Sequence, residues 1–160
     1  NLKNPKGRFD LINFKTNKII VDYAHTPESI SQVIKYVNPY FSKVVVLFGA
    51  GGNRDKEKRK LMGTASQLAD SVIVTNDNPR NEDPIHISND ILKGCDLSKT
   101  TVILDRKEAI SYAINDLKEN SVLLVLGKGH EMYQEINNSH IPFNDNDFIN
   151  KTIGGLIWLQ

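Results

Sequence analysis

Cysteine is nearly missing from this sequence, since Cys95 is the only one among 160 residues. A single cysteine excludes an internal disulfide framework and fits a reducing compartment. Long apolar runs are missing as well, because none approaches the roughly 18 residues that span a membrane. The polar N-terminus, NLKNPKGRFD, lacks the apolar core of a signal peptide. We therefore expect a cytoplasmic protein that has no membrane partner.

The sequence also lacks an excess of charge of either sign. Its 20 basic and 19 acidic residues give a formal net charge of +1. A nucleic-acid-binding domain usually carries a basic excess on one face, so we expect no nucleic-acid partner. The length suits one domain, which we place over residues 1–160. No methionine begins the chain, and we expect a piece of a longer protein with residues 1–7 as an interdomain linker.

Short apolar runs alternate with helix-like segments along the chain. The five runs are KIIVDY, KVVVLFG, SVIVTN, TVILD and SVLLVLGKG. Their nearly continuous hydrophobicity is typical of parallel strands covered on both faces. The alternation predicts an α/β fold with a doubly wound, mostly parallel sheet. Further on, MYQEI and HIPFND predict a C-terminal β-hairpin that turns at Asn137 and Asn138, and DNDFINKTIGGLIWLQ predicts a closing helix, with Asp145 or Asn146 near its cap.

Polar or glycine-rich loops follow four of the five predicted strands. They read DYAHTP, GAGGNRDKEKR, NDNPRNEDP and GKGHE, whereas the fourth strand ends in the plainer LDRKEA. In an open parallel sheet, ligands bind at the carboxyl ends of the strands. The four loops therefore predict a binding cleft at one edge of the sheet.

The residue types in these loops indicate the kind of ligand. Arg54 follows a glycine-rich turn, where backbone N–H groups and a guanidinium attract a carboxylate or phosphate. Arg80 adds positive charge, Asp77 and Glu131 add negative charge, and Asn78 adds an amide. A ligand that matches this pattern carries both carboxylate and ammonium groups, as an amino acid does. The basic residues after Arg54 predict a solvated helix face: Lys56, Lys58, Arg59 and Lys60.

A metal site is not indicated, because no HxxxH or CxxC spacing accompanies the histidines. Asp22, at a strand end, is similar to the acidic residue that binds a ribose hydroxyl in dinucleotide-binding folds. We expect Cys95 to be structural.

The segments VDYAHTP, FGAGGNRDKEKR, TNDNPR and GKGHE occur here in an order and spacing that resembles one family. The chain is similar to the C-terminal domain of the Mur ligases, in particular the diaminopimelate-adding MurE type, from about Arg8 to its end. The resemblance implies a Rossmann-like domain of an ATP- and Mg²⁺-dependent peptide ligase. Such an enzyme adds meso-diaminopimelate to UDP-MurNAc-L-Ala-D-Glu in peptidoglycan synthesis. This domain would hold the amino acid and help to close over ATP, while the UDP-sugar and ATPase domains would precede it, so the chain alone should be inactive.

The resemblance also implies roles for individual residues. Arg80 would pair with the distal carboxylate of meso-diaminopimelate, within an Asp-Asn-Pro-Arg motif formed by Asp77, Asn78, Pro79 and Arg80. The amino-acid pocket would be completed by Arg54, Gly127 and Glu131. The nucleotide would be contacted by Arg8, Asp22 and His25. No catalytic residue and no metal ligand is assigned to this part of the enzyme.

Two alternatives stay open at this point. In the first, the chain is a stand-alone module that binds an amino acid or a nucleotide without catalysis. In the second, it belongs to a Mur ligase that adds L-lysine or another diamino acid. The second alternative leaves Arg80 without a partner. The sequence does not separate diaminopimelate from a similar dicarboxylic diamine.

Overall fold

A computed structural model describes residues 7–157 of the chain. The predicted linker lies outside the described residues except for Gly7, as do the last three residues of the predicted closing helix. The strands are β1 (Asp10–Phe14), β2 (Asn17–Asp22), β3 (Lys43–Phe48), β4 (Ser71–Val74), β5 (Thr100–Val102), β6 (Ser121–Leu126), β7 (Tyr133–Ile136) and β8 (Ser139–Pro142). The helices are α1 (Pro27–Val37), α2 (Glu57–Ser66), α3 (Pro84–Leu92), α4 (Arg106–Asp116) and α5 (Asp145–Ile157).

Six strands form one sheet in the order β1-β2-β6-β3-β4-β5. All neighbours from β2 to β5 are parallel, and only β1 is antiparallel. The five predicted strands are confirmed, although β5 ends at Val102 because the chain turns there toward Asp105, which caps α4. Strand β1 was not predicted, because it is a short edge strand whose alternating burial gives no continuous apolar run.

Helices cover both faces of the sheet, as the doubly wound prediction requires. Helices α1, α2 and α3 bury Ile30, Met62 and Ile91 in one core, together with Val46 of β3. On the opposite face, α4 and α5 bury side chains that include Ile110 and Ile149. In such an open sheet, the carboxyl ends of the parallel strands are where a ligand binds.

The C-terminal part also follows the prediction. Strands β7 and β8 form an antiparallel hairpin, and Asn137 and Asn138 turn it with φ of +48° and +59°. Helix α5 is capped by Asn144, whose side chain accepts from Asp147 N, so the cap precedes the predicted Asp145. Among the described helices, none is both long and apolar enough to cross a membrane.

Candidate functional site

A cleft of about 410 Å³ lies at the carboxyl ends of β2, β3, β4 and β6. Its walls come from the four loops that the sequence singled out. Six of the seven residues expected to bind an amino acid line it: Arg54, Asp77, Asn78, Arg80, Gly127 and Glu131. The seventh, Pro79, is buried behind the wall, where its carbonyl touches Gly52.

The loops after β3 and β4 are held together through their backbones. Gly52 N donates to Asn78 O over 2.8 Å. A side chain at Gly52 would overlap the carbonyl of Pro79, so only glycine permits this approach. The glycine-rich turn therefore fixes the position of the Asp-Asn-Pro-Arg segment.

The Asn78 side chain connects three parts of the site. Its Oδ1 accepts from Lys128 Nζ and from Glu135 N, each over 3.0 Å, and its Nδ2 donates to Glu131 Oε2 over 3.0 Å. Because three of its hydrogen bonds go to other residues of the protein, Asn78 orders the cleft wall. Its binding role in the sequence-based prediction stays a prediction.

A buried ammonium group supports the acidic side of the cleft. Lys128 is 0 % exposed and donates to Asn78 Oδ1, to Glu131 Oε2 over 2.8 Å and to Tyr133 O over 2.8 Å. These contacts use all three of its N–H donors. The sequence analysis missed Lys128, and its position between two glycines after a fully apolar strand was the available signal.

Asp77 is the most enclosed carboxylate of the cleft. Burial raises the pKa of Asp77, and the positive charges of Arg106 and Lys128 oppose that increase. Gly127 leaves room for it, because a Cβ there would lie 2.6 Å from Asp77 Oδ2. The carboxylate thus lies in a narrow space, and the positive charges of Arg106 and Lys128 offset only part of the effect of burial. An ammonium group from a ligand would lower the pKa of Asp77 further.

A buried arginine after β5 is a second residue that the sequence analysis missed. Arg106 Nε and Nη2 each donate to Asp145 over 2.8 Å, and both side chains are 0 % exposed. Arg106 also donates to the carbonyls of Asn76 and Leu126, the residues that precede Asp77 and Gly127 respectively. Burial disfavours the charged guanidinium, but the carboxylates of Asp145, Asp77 and Glu131 together outweigh this and raise the pKa of Arg106. The plain loop after the fourth predicted strand therefore anchors two of the cleft loops.

Arg80 is held from the side of the hairpin. The φ of Arg80 is +53°. Its backbone makes two hydrogen bonds to the hairpin: Arg80 N donates to Glu135 O, and Arg80 O accepts from Asn137 N, each over 2.9 Å. Its Nε donates to Glu135 Oε2 over 3.0 Å and its Nη1 to Gly52 O over 2.9 Å. The other three of its five guanidinium N–H donors have no partner among residues 7–157.

The other arginines of the cleft differ from each other. Arg54 is exposed at the rim, and we find no ion pair to it from any residue in 7–157. Arg59 corrects the prediction of a solvated helix face, because it is 1 % exposed and bonds Glu82 and Asp90 over 2.9 and 3.1 Å. Its charge is stabilised by Asp90 on α3 and by Glu82 in the loop before that helix, and it also donates to Gly51 O over 3.1 Å. The neighbouring lysines are exposed as predicted: Lys56, Lys58 and Lys60.

Residues 7–129 match the family model described as the Mur ligase, glutamate ligase domain. The chain belongs to the Mur ligase family. It is 47 % identical over 156 residues to a UDP-N-acetylmuramoyl-L-alanyl-D-glutamate--2,6-diaminopimelate ligase of Rickettsia montanensis, and 43 % identical over 155 residues to one of Aquifex aeolicus. Each alignment covers 95 % of this chain and 32 % of the relative. The chain thus spans about a third of the length of these relatives.

Among solved structures, the fold is similar to one described as a UDP-N-acetylmuramoyl-L-alanyl-D-glutamate--2,6-diaminopimelate ligase. The TM-score is 0.91 at 38 % identity, covering 98 % of this chain and 33 % of that one. This similarity extends past the family match, through the hairpin and α5, so the Glu131 and Arg80 surroundings belong to the shared Mur ligase fold.

The three residues expected to contact a nucleotide differ in their surroundings. Asp22 accepts from Phe9 N over 2.8 Å and from Ala24 N over 2.7 Å, so both carboxylate oxygens shape the adjoining loops. His25 lines the cleft, and its ring lies edge-on to Tyr23 with centroids 4.7 Å apart. Arg8 is exposed next to Phe9, and neither Arg8 nor Asp22 lines the cleft.

Two smaller expectations concern metal ions and the cysteine. In the described part of the Mur ligase domain, we find no cluster of three or more His, Cys, Asp or Glu side chains suited to a metal ion. Cys95 is half-buried three residues after α3, with its thiol near Ile91 O, and burial raises the pKa of this thiol. Both features favour a structural cysteine.

Proposed function

We propose that this chain is the amino-acid-binding, C-terminal domain of an ATP-dependent ligase that adds meso-diaminopimelate to UDP-MurNAc-L-Ala-D-Glu. The observation that carries the proposal is the charge pattern of the cleft. Two guanidinium groups, Arg54 and Arg80, and two carboxylates, Asp77 and Glu131, line the same space. The names of the relatives support the same activity.

Each charged group of the amino acid then has a complementary partner. Arg80, with three N–H donors that no described residue occupies, receives the distal carboxylate, and Arg54 at the rim receives the other carboxylate. Asp77 and Glu131 receive ammonium groups. L-Lysine lacks the distal carboxylate and would leave the Arg80 guanidinium unpaired, a kind of mismatch that can reject a ligand by about 10⁴-fold.

The role of the domain in the reaction follows from this binding. ATP would activate the D-glutamate carboxylate, and the domain would present the amine of diaminopimelate to it in a fixed orientation, which is the entropic part of catalysis. Arg8, Asp22 and His25 are proposed to approach ATP when the domains close. Mg²⁺ is proposed to act together with ATP in the full-length enzyme.

NMR titration of the ¹⁵N-labelled chain tests the binding proposal. Meso-diaminopimelate should shift the signals of Arg54, Arg80 and Glu131 more strongly than L-lysine does. Arg54→Gln should weaken these shifts, whereas the control Lys60→Gln, on the exposed side of α2 and outside the cleft, should not. An equal response to the two ligands, or no response to either, contradicts the proposal for this chain.

The division of labour is tested separately. With ATP, Mg²⁺, UDP-MurNAc-L-Ala-D-Glu and meso-diaminopimelate, the purified chain should form no tripeptide product. Product formation at a rate above the background would contradict the proposal that this domain contributes binding alone. The two alternatives from the sequence, a stand-alone module and a lysine-adding ligase, are favoured by no feature of the cleft.

A further inference from the structure

We propose that Glu135 is a positioning residue for ligand selectivity, because it orients the Arg80 guanidinium toward the cleft. Glu135 lies on β7 and does not itself line the cleft. Its Oε2 accepts from Arg80 Nε over 3.0 Å. The inference rests on the proposed function, in which Arg80 receives the distal carboxylate of the amino acid.

The geometry leaves the guanidinium one free side. Glu135 occupies the Nε edge, and Gly52 O occupies one N–H of Nη1. The three remaining N–H donors belong to Nη1 and Nη2, so a ligand carboxylate must bind at the end of the guanidinium. An Arg80 side chain released from Glu135 would also offer its Nε–Nη2 edge, at a different distance from Asp77 and Glu131. The pair therefore sets the length of ligand that fits.

The backbone around Glu135 is held independently of its side chain. Glu135 N donates to Asn78 Oδ1 over 3.0 Å, and Glu135 O accepts from Arg80 N over 2.9 Å. Substitution of the Glu135 side chain keeps both bonds. The side chains of Arg80 and Glu135 are 18 % and 32 % exposed, so water can reach both when the pair is broken and the variants should fold.

A matched pair of variants separates orientation from charge. Glu135→Gln and Glu135→Ala remove the same negative charge, but only glutamine keeps an oxygen that can accept from Arg80 Nε. Calorimetric titration of the chain should give meso-diaminopimelate an affinity about tenfold lower in Glu135→Ala than in Glu135→Gln, as expected for one charge-assisted hydrogen bond. L-Lysine, which has no carboxylate to reach Arg80, should bind both variants equally.

A second readout needs no ligand. Exchange of the Arg80 Nε–H with water should be slow in the wild-type chain and in Glu135→Gln, and faster in Glu135→Ala. Equal exchange in the three proteins, equal affinity of the two variants for meso-diaminopimelate, or the same loss for both ligands would overturn the inference. A wild-type chain that shows no preference for meso-diaminopimelate would instead overturn the proposed function, and the exchange rates would still decide whether Glu135 orients Arg80.

Discussion

Replacement of Arg106 by methionine should destabilise the chain by about 4 kcal/mol. The substitution removes two hydrogen bonds to Asp145 and those to the carbonyls of Asn76 and Leu126. Asp145 is 0 % exposed, so its carboxylate would remain in the interior without a compensating charge. Removing one partner of such a buried pair typically costs about 3–5 kcal/mol.

Urea unfolding followed by far-UV circular dichroism measures this loss. The control is Lys118→Met, which breaks an ion pair to Asp116 whose side chains are 71 % and 59 % exposed. It should change the free energy of unfolding by less than about 0.5 kcal/mol. The double variant Arg106→Met/Asp145→Leu should recover part of the loss, because no unpaired charge then remains buried.

The outcome that would refute this reasoning is a small effect. If Arg106→Met cost no more than Lys118→Met, the buried pair would not anchor the loops at the ends of β4 and β6. If the double variant lost the sum of the losses measured for Arg106→Met and for Asp145→Leu alone, the two side chains would not act as a pair.

Three further predictions concern other parts of the chain. In Gly51→Ala the new Cβ would lie 2.8 Å from Arg80 Nη1, so the guanidinium must move. Calorimetry should show that the affinity for meso-diaminopimelate falls about tenfold while the affinity for L-lysine is unchanged. The hydrogen bond from Arg59 lowers the pKa of Glu82 in the folded chain. The ionised Glu82 therefore adds stability that is complete above about pH 4.5 and is lost as the pH falls through the lowered pKa. In Arg59→Met, the midpoint of urea unfolding should depend less on pH in this range. Since burial raises the pKa of the Cys95 thiol, iodoacetamide should alkylate the native chain at least about tenfold more slowly than the urea-unfolded chain, as followed by mass spectrometry.

Each of these three predictions has a result that contradicts it. Equal weakening of both ligands by Gly51→Ala would indicate a general distortion of the cleft. An unchanged pH dependence in Arg59→Met would mean that Glu82 gains no stability from the arginine. Equal alkylation rates would show that the thiol is accessible in the folded chain.

The fold was largely predictable from the sequence because burial on both faces leaves a direct mark. Strands such as β3 and β6 are apolar along nearly their whole length, and that pattern identified the four inner parallel strands. Strand β5 lies at an edge with half-buried or exposed residues, and only the apolar run TVILD indicated it. Strand β1 was not predicted because it is an edge strand whose burial alternates, so it has no continuous apolar run. The turn at Asn137 and Asn138 was predictable because asparagine tolerates positive φ.

The residue types of the site were predictable, but the buried ion pairs and hydrogen bonds that hold the cleft together were not. Charged residues that follow strands indicated the cleft, and the structure brings six of the seven expected binding residues to it. Arg59 and Arg106 were missed because nothing in their local sequence indicates burial, whereas Lys128 lies between two glycines directly after an apolar strand. Their burial depends on distant partners, and Asp145 comes 39 residues after Arg106.

Whether Arg80 selects meso-diaminopimelate is tested by calorimetric titration of the wild-type chain and of Arg80→Gln with meso-diaminopimelate and with L-lysine. The account predicts that the wild-type chain prefers meso-diaminopimelate to L-lysine. It further predicts that Arg80→Gln weakens meso-diaminopimelate by about 100-fold, the scale of a lost enclosed charge pair, while L-lysine changes by less than about threefold. Equal losses for the two ligands, or an unchanged preference, would contradict the claim that Arg80 reads the distal carboxylate.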